Sequence, residues 1–299
     1  MDAVVAVEAV VGVAAAEEGA VVAVANSDQD FIELPRVGVG FRAPLAEWIL
    51  SKPREIEFVE VTAEHFFDGG EDTLARLSEL YPISVHGLGL SLGTPGPLCR
   101  STLNSFSAIA AAANAAWVSE HIAFTRSEEV DLGHLNPVPL TMESLKVFVD
   151  HAMEVQEHCG RPLLLENITS YLRVPEVLPE TEFLNRLCEE AGVGLLLDVT
   201  NLFINSKNHG FDPVRWLEQL EPSSIKQMHI VGYSQSNGQW HDRHCEPVQD
   251  DLLELAAFAV GYGEIESIIL ERDGSFPTIE SMTQELRRLE AACVTARTH

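Results

Sequence analysis

The sequence predicts a single-domain α/β fold of the (β/α)8 TIM-barrel class. Two observations predict it. Eight short, nearly continuous apolar runs succeed one another between residues 37 and 274, and a helical pattern or long connection follows each. Many of these runs also stop on a carboxylate or an imidazole. LLLEN ends on Glu166 and Asn167, and LLLD ends on Asp198. Strands buried on both faces account for the leucines. The strand ends of a barrel carry its active site, which gives the acids a place. A doubly wound open sheet is the competing architecture, but VGVGF offers only Gly38 and Gly40, with no third glycine opening a helix.

The 299 residues suit one domain of this kind. Residues 1–35 are set apart from the barrel domain at 36–299. They are rich in Ala and Val, and residues 1–30 lack Lys and Arg, so the basic start of a secretory signal is missing. Glu8, Glu17 and Glu18 interrupt any membrane segment there. This stretch is expected to be an extension, partly disordered or weakly helical.

The runs themselves are VGVGFR (37–42), FVEVTAEHF (58–66), PISVHGLGL (82–90), WVSEHIAF (117–124), PLLLENIT (162–169), GVGLLLDVTN (192–201), IKQMHIVGY (225–233) and SIILERDG (267–274). Between them lie helix signals. Thr141 is placed to cap a helix whose apolar Leu145, Phe148, Val149, Ala152 and Val155 share a face, and Gly160 stops it. Asp212 before Pro213 opens another. Ser101 or Thr102 is expected to open the Ala-rich segment reaching Ala116.

The formal charge is −27, from 46 acids against 19 bases. Such a surface repels nucleic acid and anionic membrane, so neither is expected as a partner. Solubility is the plain explanation of the excess; a store of carboxylates for cations is the sharper one. No stretch is long and apolar enough to span a bilayer. Five scattered cysteines without a CxxC pair exclude a zinc ribbon and suggest reduced thiols in a cytoplasmic protein.

Reading the strand ends in order gives Arg42; Glu60, Glu64 and His65; His86; Glu120 and His121; Glu166 and Asn167; Asp198 and Asn201; His229; then Glu271, Arg272 and Asp273. Later loops add His209 and the cluster HDRHCEP at 241–247. Taken singly, a His in an apolar run is an ordinary hydrogen-bonded core residue, and HxxH is as readily a solvated loop. Their joint occurrence carries the weight. Bases are too few to pair so many inward carboxylates, and an unpaired buried carboxylate costs several kcal/mol. Cations remove that cost. Carboxylates with imidazoles and no thiolate pairs suit Fe, Mn or Zn, and the number of groups allows two or more ions. Neighbours on a strand face opposite ways, so only one of Glu120 and His121 can face the axis; Glu120 is expected inward, with Glu166.

FVEVTAEHFFDGG, YPISVHGLGLSLG, WVSEHIAF, RPLLLENITSYLR, GLLLDVTNLFINSKNHGFDP, MHIVGY and ILERDGSFP follow the blocks of one family in order. From about residue 36 to about 290 the chain resembles the multinuclear non-heme iron-dependent oxidative enzymes. This bacterial family, formerly of unknown function, includes the methanobactin-forming oxidase and the thiaglutamate-pathway enzyme. The resemblance implies a barrel holding two or three irons, in mixed Fe(II) and Fe(III) states. It also implies dioxygen as co-substrate, oxidation of a residue, foremost a cysteine, in a ribosomally made precursor peptide, and a small partner protein presenting that peptide. Carried over by position, the metal-binding set is His86, Glu120, Glu166, Asn167, Asp198, His209, His229, Asp242, His244 and Glu271. Arg42 and Asp273 are assigned to catalysis, as residues that position the peptide. Three positions depart from the family pattern: His65 for Asn, Tyr233 for the second His of HxxGH, and Cys245 for an acid. Two rival functions stand beside this one. One is another divalent-metal barrel enzyme, such as a sugar isomerase or phosphodiesterase. The other is a non-catalytic peptide-binding scaffold.

Overall fold

The eight runs form eight parallel strands that close into a barrel in chain order. In this computed structural model the described residues are 23–24, 32–127 and 130–297. The strands are β1 (Arg36–Gly40), β2 (Phe58–Thr62), β3 (Ile83–His86), β4 (Trp117–His121), β5 (Leu163–Glu166), β6 (Gly194–Asp198), β7 (Ile225–Ile230) and β8 (Ser267–Leu270). Pairing of β8 with β1, from Ser267 opposite Arg36 to Leu270 opposite Val39, shuts the sheet. Closure leaves no unpaired edge, so the fold is the (β/α)8 barrel. Residues Met1–Leu34 form a separate unit. In it Ala23–Val24 pairs antiparallel with Ile32–Glu33, and the rest of the expected extension lies outside the described residues.

The leucine runs show how the strands sort their side chains. Leu163 and Leu165 of β5, and Leu195 and Leu197 of β6, belong to the main apolar core; Leu164 and Leu196 are buried outside it. With a period of two, Glu166 and Asp198 continue the inward rows of Leu164 and Leu196. Each fully buried leucine contributes about 1.5–3 kcal/mol, so the outward rows anchor strands whose inward rows are free to end on acids.

Among the described residues, eight helices accompany the barrel: α1 (Ala46–Leu50), α2 (Glu71–Leu80), α3 (Arg100–Ala112), α4 (Met142–Cys159), α5 (Glu180–Ala191), α6 (Val199–His209), α7 (Asp250–Tyr262) and α8 (Ile279–Arg297). A further short helix, Pro213–Leu217, follows α6. Helix α4 starts and stops where expected. Thr141 and Ser144 exchange side-chain and backbone bonds in a capping box, and Gly160 takes the left-handed conformation at φ 60. Asp212 caps the short helix by accepting from Val214 and Arg215 N–H. Helix α3 departs from expectation. It begins at Arg100 and ends at Ala112, and its N-cap, Cys99, makes no side-chain capping bond. Among the described residues no helix is long and apolar enough to cross a membrane.

Two hairpins rise beyond the strand ends, Phe124–Ser127 with Val130–Asn136 after β4 and Gly232–Ser236 with Gln239–Glu246 after β7. The sequence places HDRHCEP in a loop; most of it is a hairpin strand instead. That strand is bulged. Gly232 pairs with Glu246 and Ser234 with His241, so Asp242 to Cys245 stand opposite Tyr233 alone. A bulge of this kind re-aims side chains, here Asp242 and His244. His244 itself sits at φ 51, a left-handed backbone region uncommon for residues other than glycine, though histidine enters it more readily than most. Gly232 fixes the hairpin base: a Cβ there would collide with Pro247 O and lie 2.5 Å from Glu246 O. Gly232→Ala is therefore expected to destabilise the chain by roughly 1–3 kcal/mol and to displace His244. Thermal melting together with metal content checks this; unchanged values would show that the contact does not set the hairpin.

Candidate metal centre

Strand register gathers the polar side chains at one end of the barrel. Thr62 lies beside His86, His121 beside Glu166, and Asp198 beside His229. Residues in register share a face, so an inward Glu166 requires an inward His121. Glu120 then turns outward, the reverse of the sequence expectation. Its Oε2 accepts from Leu90 N–H at 2.9 Å and its Oε1 lies 3.1 Å from His121 Nδ1. Glu120 thus stands behind a histidine that faces the axis.

Three sets of side chains each bring ligand-type atoms within 4.8 Å of one another: His86, His121 and Glu166; Glu166, Asp198, His229 and Glu271; and His244, Glu271 and Asp273. Glu166 belongs to the first two sets and Glu271 to the last two. Glu166 Oε2 is 3.4 Å from Nε2 of both His86 and His121. His229 Nδ1 is 3.4 Å from Glu166 Oε1 and 3.1 Å from Glu271 Oε2. His244 Nδ1 lies 3.0 Å from Asp273 Oδ2 and 3.6 Å from Glu271 Oε2.

Each of the four imidazoles is held by one nitrogen and faces its set with the other. His86 Nδ1 is 2.9 Å from Ser119 Oγ, His121 Nδ1 is held by Glu120, and His244 Nε2 is 2.9 Å from Asp242 Oδ2. His229 Nε2 is 2.7 Å from Glu60 Oε1. This is the usual support of metal-ligating histidines. The facing atoms include buried ones with no hydrogen-bond partner: Glu166 Oε2, Asp198 Oδ2, His229 Nδ1 and His244 Nδ1; His229 Nε2 is close to Glu60 but makes no aligned hydrogen bond either. Orphaned atoms of this kind are costly unless a cation meets them, so the residues present fit metal ions.

The titration behaviour says the same. Burial pushes Asp198 well above the ordinary carboxylate range, and Glu166 and Asp242 push it further. Burial opposes charge on His121, yet Glu166 and Glu120 outweigh it and raise the imidazole to about 9. His244 rises to about 12, where burial is outweighed by Glu271, Asp242 and Asp273. His229 is held well above its usual value by Glu60, Glu271 and Glu166 against its burial. Without metal, protons must supply the positive charge that this cluster demands.

Of the other expected residues, some adjoin these sets and some lie apart from them. Both ends of the Asn167 amide are engaged by the Asp198 backbone, donating to its O and accepting from its N at 2.9 Å each. His209 Nε2 is 2.6 Å from Ser170 O, and the residue lines a cavity of about 460 Å³ beside α5 and α6. Asp242 joins through His244, with its own Oδ1 buried and unpaired. Arg42 and Asp273 meet at the rim. Arg42 Nε donates to Asp273 Oδ1 at 2.7 Å and Nη2 to Glu271 Oε1 at 3.2 Å. Arg272 points away, to Glu285 Oε2 at 2.9 Å. Of the departures from the family pattern, Tyr233 stacks on Phe203 at 4.9 Å and donates to Asp251. Cys245 turns its thiol to Arg243 O at 2.8 Å.

Residues 36–294 match the model of the family described as "RiPP precursor modification enzyme MbnB/TglH/ChrH". The chain belongs to this family. A UPF0276 protein of Chromobacterium violaceum is 35% identical over 262 residues, covering 86% of this chain and 95% of that protein. The UPF0276 protein Anae109_1558 of Anaeromyxobacter sp. is 36% identical over 269 residues, covering 87% and 94%. Among solved structures, endonuclease IV from Thermus thermophilus superposes with a TM-score of 0.58 at 15% identity, covering 87% of this chain and 100% of that one. A D-psicose 3-epimerase from Clostridium cellulolyticum gives 0.58 at 12%, covering 88% and 98%. These structural likenesses establish the barrel and nothing finer. In this RiPP precursor modification enzyme the MbnB/TglH/ChrH match runs from the first barrel strand into α8.

Proposed function

We propose that the barrel end holds two or three iron ions and that the protein uses dioxygen to oxidise a residue, foremost a cysteine, in a ribosomally made precursor peptide. The observation that supports this best is the sharing of Glu166 and Glu271 among three adjacent ligand sets. Shared carboxylates suit neighbouring ions, and oxygen with imidazole donors suits iron. His86, His121 and Glu166 would hold one ion, Asp198 and His229 with both shared glutamates a second, and His244, Glu271 and Asp273 a third. Bound iron supplies one-electron chemistry toward dioxygen and a Lewis-acidic position that favours a substrate thiolate.

The protein's own residues do the rest. Ser119, Glu120, Glu60 and Asp242 orient the four histidines. Burial of Glu166, Asp198 and His229 keeps water from the inner ions. At the rim Asp273 is the more exposed partner, at 47% of its side chain against 11% for Arg42. Arg42 sets the Asp273 carboxylate, and together they are suited to meet the peptide. A small partner protein presenting the peptide belongs to the same reading, as does the absence of nucleic acid and membrane from the function. The location that fits this chemistry is the cytoplasm.

Anaerobic purification followed by elemental analysis, then oxygen uptake with a cysteine-bearing precursor peptide, tests the proposal. Two to three irons per chain and peptide-dependent oxygen uptake are expected. Activity with zinc, manganese or magnesium alone on a sugar or phosphodiester would favour the other metal-barrel reading. Peptide binding without metal would favour a scaffold.

A further inference from the structure

Behind the metal-facing side chains a chain of buried polar contacts crosses the barrel. Glu60 Oε1 meets His229 Nε2 at 2.7 Å. Its Oε2 accepts from Gln227 Nε2 at 2.7 Å and from Ser84 Oγ at 3.0 Å. Gln227 Oε1 accepts from Trp117 Nε1 at 2.5 Å. Glu60 is 2% exposed, and Ser84, Gln227 and His229 are 0%. Strands β2 and β7 are not neighbours in the barrel, so these contacts pass through its interior. Trp117 is itself fixed, stacked on Phe58 at 5.0 Å and 15°.

The direction of each hydrogen bond from Trp117 to Glu60 is determined. An indole nitrogen only donates, so Gln227 must turn its oxygen to Trp117 and its amide nitrogen to Glu60. An ionised carboxylate only accepts, so the 2.7 Å approach of Glu60 Oε1 favours the proton on His229 Nε2. The lone pair of the neutral ring is then on Nδ1, the nitrogen that faces Glu166 and Glu271. His86 and His121 are held the other way round, by Nδ1, and face their set with Nε2.

We propose that Trp117, Gln227, Ser84 and Glu60 are positioning residues that fix His229 as an Nδ1 ligand, with the Glu60 carboxylate strengthening it from behind. This rests on the metal reading above and goes beyond it, because the contacts of Glu60 lead to the ion through His229. Loss of such an outer partner typically weakens metal binding by about 10–100-fold.

The test is titration of the metal-free full-length chain with Co(II), reading ions bound and the visible Co(II) spectrum. The chains compared are wild type, Glu60→Gln, Trp117→Phe, His229→Ala and the double variant Glu60→Gln with His229→Ala. Glu60→Gln is expected to weaken the His229-dependent ion about 10–100-fold and shift its spectrum. Trp117→Phe, which keeps the stacked ring, is expected to do the same to a smaller extent. With His229 already replaced, Glu60→Gln is expected to have no further effect, since it acts through that ring. Equal weakening in both backgrounds would overturn the proposal, as would wild-type binding by both Glu60→Gln and Trp117→Phe. Should Glu60→Gln fail to fold, nitrogen-15 NMR of the Zn(II)-loaded wild-type chain decides. Protonated Nε2 and coordinated Nδ1 of His229 are expected, and coordination through Nε2 would overturn the proposal. A wild-type chain that binds no ion would instead overturn the metal reading, and the positioning role with it.

Discussion

Glu166→Gln is expected to empty the two inner sites together. One carboxylate oxygen is 3.4 Å from both His86 and His121, and the other is 3.4 Å from His229. The substitution keeps the volume of the side chain and removes the charge that two ions would share. Loss of an outer partner costs roughly 10–100-fold in affinity, and loss of a shared ligand is expected to exceed that at both positions. Metal per chain, measured after anaerobic purification, should fall to the outer ion at most, and peptide oxidation should vanish. Glu120→Gln is the matched control. Glu120 touches His121 and the Leu90 backbone, so this variant should keep its metal and bind it more weakly. Wild-type metal content in Glu166→Gln would mean that the two sets do not share this residue.

The metal-free protein is expected to lose stability as pH rises from about 6.5 to about 9. The sign follows from the histidines. His121 titrates near 9 in the folded chain, because Glu166 and Glu120 outweigh its burial. In the unfolded chain it titrates near the ordinary value of about 6.5. Its contribution is therefore complete below about 6.5 and lost as pH passes through about 9. His244 rises to about 12 and His229 is held well above its usual value, so their contributions are lost in the same direction. Asp198, raised by burial and by Glu166 and Asp242, also binds its proton more tightly when folded, so its contribution is lost in the same direction as pH rises above the ordinary carboxylate value. Glu271 is shifted the opposite way, held low by His229 and His244 against its burial, but its window lies below the ordinary carboxylate range. The total loss is expected to be on the order of a few kcal/mol. Bound metal replaces those protons, so the loaded protein should melt at nearly constant temperature over the same range. Thermal melts at pH 6.5, 7.5 and 9, with and without metal, check both halves. Parallel curves would show that the protons do not stand in for cations.

The barrel was legible because its signal is repeated: eight buried strands each leave the same kind of apolar run, and the acids at their ends are too numerous for the available arginines. Which neighbour on a strand faces inward was not legible from the strand alone. Glu120 and His121 exchange roles because inwardness is set by register with Glu166 on the next strand, which no local pattern records. Asn167 is tied to the Asp198 backbone through both ends of its amide, a contact between chain segments 31 residues apart that no local pattern records. Asp242 and His244 were found as residues and misplaced as a loop, since a bulged hairpin pairs irregularly and leaves no clean alternation. Glu60 stood among the strand-end acids, but its place behind His229 depends on a crossing of the interior from β2 to β7. Asp273, assigned to the peptide alone, also completes the third ligand set with His244 and Glu271.

Anomalous diffraction at the iron edge, from crystals of protein purified and grown without oxygen, bears most directly on the shared-carboxylate centre. Two or three peaks are expected at the C-terminal mouth of the barrel, with Glu166 between the inner pair and Glu271 reaching the next. No peak there, or peaks that leave Glu166 and Glu271 untouched, would contradict it.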